Sequence, residues 1–273
     1  MKFTSHWVTL SSLLALLTTP LSAIEISDDL RLTLQHNIEA VEKDGPRMSD
    51  AMIALREVGA SFLPELIAPI DVERYQNPER KRQVLGAYLM DLTYAATFDQ
   101  RDSAARYGQA IYQLLGDLGY PHPDMERRYR EALQQIDLPG GDEQLRQLAK
   151  EQDQDTHWQE MLRYGNGVEI VVDGLYGFLV EGLQLTTELC VLSNYDPSFM
   201  MYVEYMRESF VAYKRLLHLI GENEELAHIV QNNDKLNLLT TVLFIYAELP
   251  QLGPEQIDLL RPVIQKARRE IID

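Results

Sequence analysis

Three carboxylates, Asp91, Asp173 and Glu181, sit inside apolar stretches of the chain. An acid in such surroundings must be hydrogen-bonded or protonated. Tyr88 lies three residues before Asp91 and Tyr94 three after it, so on a helix all three share one face. Asp173 and Glu181 are eight apart and also fall on roughly one face. Two chemistries fit. Asp91 paired with Glu181 or Asp173 across a cleft, one acid with a raised pKa, suits hydrolysis of glycan or cell-wall material, or cation binding. Alternatively, Asp91 accepts from a tyrosine hydroxyl, a backbone N–H or an arginine, and serves the fold. The second reading weighs more, since 14 tyrosines make such partners easy to find. Tyr88, Asp91, Tyr94, Asp173 and Glu181 therefore form a candidate ligand or buried polar site, and no residue is assigned as catalytic.

Other chemistry finds little support. Glu225-x-x-His228 has the spacing of carboxylate-bridged di-iron bundles, but it occurs once, in the polar run GENEELAH. The remaining histidines are scattered, and no Cys/His cluster has zinc spacing. There is no G-x-S-x-G elbow and no phosphate-binding glycine loop. Neither a metal nor a cofactor is expected, and the balance leans away from an enzyme.

The acids are positioned by two oily segments. Residues 84–98, VLGAYLMDLTYAATF, read as a helix that is apolar nearly all the way round, as buried central helices are. Gly86, Ala87, Ala95 and Ala96 are small enough to admit a close neighbour. Residues 168–192 form a second such stretch, with Asp173 and Glu181 inside it. These two are expected to be the paired central helices of an all-α, multi-helix bundle of roughly ten helices. Around them, apolar residues recur at helical spacing, and Asn77-Pro78-Glu79 and Asp196-Pro197 open helices. Gly119 and Gly221 are placed as helix stops. Pro64 and Pro69 break residues 62–70 into irregular pieces. Leu226 to Val230 reads as a short helix, and residues 168–172 as the best, though poor, strand candidate. Lys266, Arg268 and Arg269 are placed at a helix C-terminus, where the dipole favours cations. Residues 86–92 can be laid on residues 177–183 at an offset of 91, which points to pseudo-repeat halves, 78–138 and 168–233, joined at Pro139-Gly140-Gly141.

Composition bounds the rest. The chain has 273 residues, 45% hydrophobic, and residues 24–273 are expected to form a single domain with a sizeable core. Residues 1–23 read as a signal peptide: Lys2, an apolar run at 8–17, and a small residue, Ala23, before the cleavage point. The run is short of the ~20 residues a membrane span needs. Removing Lys2 with the leader leaves 24 Lys and Arg against 42 Asp and Glu, a formal charge of −18. That charge disfavours nucleic acid and anionic lipid, and suits solubility or a cationic partner. Glu169, Asp173, Glu181 and Glu188 interrupt residues 168–192, so no integral membrane segment is expected after cleavage. Cys190 is the only cysteine, so the fold has no internal disulfide, and its apolar neighbours predict burial.

The segment Gly86-Ala-Tyr-Leu-Met-Asp91-Leu-Thr-Tyr94-Ala95, followed by Phe98-Asp-Gln100, Leu118-Gly119 and Val180-Glu181-Gly182-Leu183, resembles a family of exported all-helical proteins from Gram-negative bacteria. In that family a G-x-Y-x-x-D-L-x-Y segment precedes a W-x-E-G-L-Y segment. Val180 and Gln184 stand where the family has bulkier aromatics, and its lipid-anchor cysteine is missing. The resemblance implies an exported helical fold and no particular activity. Three functions remain in view: an exported binding or scaffold module with a protein or small-ligand partner, located in the periplasm or outside the cell; a hydrolase using the paired acids; and a helical-repeat adaptor.

Overall fold

The computed structural model describes residues 26–43, 48–120, 127, 131, 143, 158, 161–162, 165–230, 234–247 and 252–273. Among these residues there are eight α-helices, two single 3-10 turns and no strand. The helices are α1 (Asp28–Lys43), α2 (Met48–Glu57), α3 (Pro78–Thr97), α4 (Arg101–Asp117), α5 (Gly167–Leu192), α6 (Pro197–Glu222), α7 (Asp234–Ala247) and α8 (Pro254–Ile272). The count is below the ten expected. The helices read after Pro123 and over residues 142–153, the leader and the Pro139-Gly140-Gly141 junction lie outside the described residues. Leu226 to Val230 forms a 3-10 turn, Ala227–Val230, instead of an α-helix. Residues 168–172 are helical.

Helix starts follow from their residues. Asn77 Oδ1 accepts from the backbone N–H of Glu79 at 2.8 Å and of Arg80 at 3.3 Å, and Pro78 lacks the N–H that would need a partner there. Asp196 does the same for α6 through Ser198 N–H at 2.8 Å. Gly119 takes φ +71° just past α4, the left-handed conformation glycine tolerates best. The sequence places a helix stop at Gly221, but α6 passes through it and ends one residue later, at Glu222; Gly221 itself faces Val230.

α3 and α5 lie side by side at the centre, almost wholly buried, as their composition predicts. They run parallel. Gln83 meets Gly177, Gly86 meets Gly174 and Phe178, and Arg82 meets Asp173. A Cβ added to Gly86 would fall 1.8 Å from the carbonyl oxygen of Gly174, and one added to Gly177 would fall 1.8 Å from that of Gln83. Adding or subtracting 91 converts one contact into the other, the same offset as the sequence echo. Each glycine thus receives the other helix's backbone, which fixes the interhelical spacing.

The other helices clothe this pair. α2 and α4 pack on α3, α6 and α8 on α5, α1 on α6, and α7 against α6 and α8. Residues 60–71 cross the bundle as an irregular strap containing Pro64 and Pro69. Cys190 is fully buried, and burial pushes its thiol up to about 12. No described helix is long and apolar enough to cross a membrane.

Candidate functional site

The expected acids fall into two separate clusters along α5. Parallel packing brings Asp91 of α3 to Glu181 of α5, and both are 0% exposed. Arg268 of α8 grips Glu181 with two charge-assisted bonds, Nε to Oε2 and Nη2 to Oε1, each 2.7 Å. Asp91 Oδ2 accepts from Ala68 N–H at 2.9 Å. Asp91 Oδ1 has no hydrogen-bond partner among the described residues, and the Asp91 and Glu181 carboxyl groups act directly on each other. Two carboxyl groups side by side out of water need a proton between them. Burial first, then the Glu181 charge, holds the Asp91 carboxyl well above its ordinary range. Burial also raises Glu181, opposed by the Arg268 guanidinium. The proton therefore belongs on Asp91, which donates it to an ionised, Arg-bound Glu181.

The same face of α3 explains the tyrosines. Tyr94 Oη accepts from Leu63 N–H at 3.0 Å and donates to Ser61 O at 3.3 Å. Tyr88 Oη accepts from Asp71 N–H at 3.1 Å and donates to Pro69 O at 2.9 Å. Tyr107 of α4 donates to Ala68 O, and Arg268 Nη2 to Leu66 O at 2.9 Å. Every one of these bonds ends on the strap. An irregular segment has no ladder of its own, so its backbone groups need partners elsewhere. Burial raises the hydroxyl pKa of all three tyrosines, that of Tyr94 to about 12, so they remain neutral donors.

Asp173 is not joined to Asp91. It sits nearly two turns into α5, 2% exposed, between Arg82 Nε at 2.6 Å and Lys235 Nζ at 2.9 Å. Lys235, from α7, also donates to Glu79 Oε1 at 2.5 Å and lies 5.8 Å from the centre of the Tyr176 ring. Burial raises the Asp173 pKa against the two cations, while Asp173 and Glu79 outweigh burial and raise that of Lys235.

Sequence reading missed a third group. Glu188 accepts from Arg261 Nε and Nη2 and from Gln265 Nε2, each at 2.8 Å, and these bonds lower its pKa against the opposing effect of burial. Arg261 and Arg268 are seven apart on α8, as are Glu181 and Glu188 on α5, so two fork-like ion pairs clamp the helices antiparallel. That matching interval was the available signal. Its sequence position marks Arg268 as a dipole partner at the helix end; it turns inward instead.

Open space lies beside these clusters. One cavity of about 340 Å³ is lined by Pro69, Gln184, Gln265, Arg268, Arg269, Ile272 and Asp273. Another, about 250 Å³, lies over Tyr176 and Lys235 between Glu79, Asp234 and Glu270. A third, about 360 Å³, is bordered by Val58, Leu63, Leu189, Leu192 and Phe199. Neither Asp91 nor Glu181 lines any of them. Paired acids need room for a sugar and a water, and the sealed Asp91–Glu181 pair has neither. Comparison of the chain with protein-family models, with curated proteins and with solved structures finds no match.

Proposed function

We propose that this chain is an exported ligand-binding module and not a hydrolase. The carrying observation is that the carboxyl groups of Asp91, Glu181 and Asp173 are all committed to the fold: they hold the strap, α8 and α7, and none stands ready at a cleft. What remains reachable is a set of concave cavities on the helical frame, lined by polar and apolar residues together, where a small molecule would find both kinds of contact. Export is supported by the leader-like residues 1–23 and by the family resemblance. A helical-repeat adaptor has less support, because the ~34-residue register of such repeats is absent.

Two measurements test this reading. A thermal-shift screen of the folded chain against amino acids, sugars, nucleosides and organic acids should find a stabilising compound, and glycan or peptidoglycan hydrolysis should stay at background. Hydrolysis lost in Asp91→Asn would overturn the proposal. For export, the mass of protein recovered from a Gram-negative periplasm should correspond to a chain beginning near Ile24; full-length protein confined to the cytoplasm would remove that part.

A further inference from the structure

The cavity over Arg268 has a specific donor and acceptor pattern. Arg268 spends Nε and Nη2 on Glu181 and Leu66, which leaves Nη1 without a partner among the described residues. Arg269, exposed on the rim, has no ion-pair partner among them either. These are the donors. Gln265 is oriented by its Nε2 bond to Glu188, which leaves its Oε1 as an acceptor. Gln184, 6% exposed, forms part of the wall and bonds Glu188 through its Nε2 at 3.3 Å. Asp273 adds a carboxylate whose Oδ1 lies 3.9 Å from Arg74. Pro69 and Ile272 supply the apolar part of the wall.

Guanidinium groups facing an amide oxygen and a carboxylate, with an apolar wall between, complement a molecule that carries both charges and an oily side chain. We propose that this cavity binds a free apolar amino acid. Its carboxylate meets Arg268 Nη1 and the Arg269 guanidinium, its ammonium meets Gln265 Oε1 and Asp273, and its side chain lies on Pro69 and Ile272. The inference rests on the reading of the chain as a ligand-binding module and names its ligand class. Arg268 also holds Glu181 and Leu66 O, so an occupant adds its contacts to the group that fastens the strap.

The test is calorimetric titration of the mature chain with L-leucine, with L-leucinamide, which lacks the carboxylate, and with 4-methylpentanoate, which lacks the ammonium. Leucine should bind saturably and each truncated probe at least tenfold more weakly. Arg269→Ala should weaken leucine at least tenfold with an unchanged melting temperature, since Arg269 is exposed and unpaired. Arg268 is a poor test residue because its loss strands Glu181. No leucine binding at millimolar concentration, or leucinamide binding equal to leucine, overturns the proposal. Leucine binding that is unchanged in both Arg269→Ala and Gln265→Leu also overturns this site, yet leaves the chain a ligand-binding module. Hydrolytic activity dependent on Asp91 would instead remove the broader reading.

Discussion

Two buried acids of α5, Asp173 and Glu181, solve the same problem in different ways. At Asp173, a buried carboxylate is matched by cations: Arg82 from α3 and Lys235 from α7, with Glu79 taking up the surplus positive charge. At Glu181, two acids face one guanidinium, and the shortfall is made up by a proton on Asp91. The first arrangement is an ion network; the second combines an ion pair with a neutral acid. Only the second depends on a carboxyl group keeping its proton well above the ordinary carboxylate range.

The sharpest way to break both sites together is to move the helices that carry them. Gly177→Ala puts a Cβ 1.8 Å from the Gln83 carbonyl oxygen, and backbone on both sides leaves no flexible group to yield. A loss above about 4 kcal/mol, at the exceptional end of single substitutions, is expected in chemical denaturation. A near-neutral Gly177→Ala would show that the seam is looser than described.

Next comes Arg268→Met, which leaves Glu181 buried beside Asp91 with no cation. A loss of about 3–5 kcal/mol is expected. Lys235→Met should cost less, about 1–3 kcal/mol, because Asp173 keeps Arg82. A Lys235→Met more damaging than Arg268→Met would reverse this ranking of the two sites.

Asp91→Asn sharpens the contrast in pH dependence. The wild-type Asp91 carboxyl is neutral when folded over a range where the unfolded chain, with a pKa of about 3.9, has ionised. The folded state then binds more protons, so this group makes stability fall as pH rises from about 4 through its raised folded pKa. The effect is bounded at about 1.4 kcal/mol per pH unit. Asparagine can still accept from Ala68 and donate to Glu181 but cannot titrate. Stability curves of the two proteins against pH should therefore diverge across this window, with the variant flatter, and the difference isolates this proton from that of Asp173. Parallel curves would place the proton elsewhere.

The smallest effects lie at the margins. Arg261→Ala removes a partner whose side chain is 41% exposed, and about 1 kcal/mol is expected. Cys190 should resist a thiol reagent until denaturant is added, because it is fully buried and its thiolate is disfavoured.

Much of this frame was legible before any coordinates. The central pair, the caps at Asn77 and Asp196 and the irregular strap follow from local residue types, as does burial of Asp91 with its tyrosines. The meeting of Asp91 with Glu181 could be named only as one of two pairings, because helical spacing fixes a face but not the register of a distant helix. Arg268 and Lys235 were harder still. A cation on an amphipathic helix reads as solvated, and its turning inward depends on which acid waits across the interface. The seven-residue interval shared by Glu181–Glu188 and Arg261–Arg268 was present in the sequence, but it acquires meaning only once α5 and α8 are known to touch.

The glycine seam also sets an order of events at the ribosome. α3 emerges early as a rod oily on every side, while the surface it must meet lies some ninety residues downstream. At about 5–20 residues per second, that is roughly 5–20 s of synthesis. During that interval neither tyrosine hooks nor a polar strap can shield the whole rod. A chain built this way is a natural client for a holding chaperone until its second half arrives.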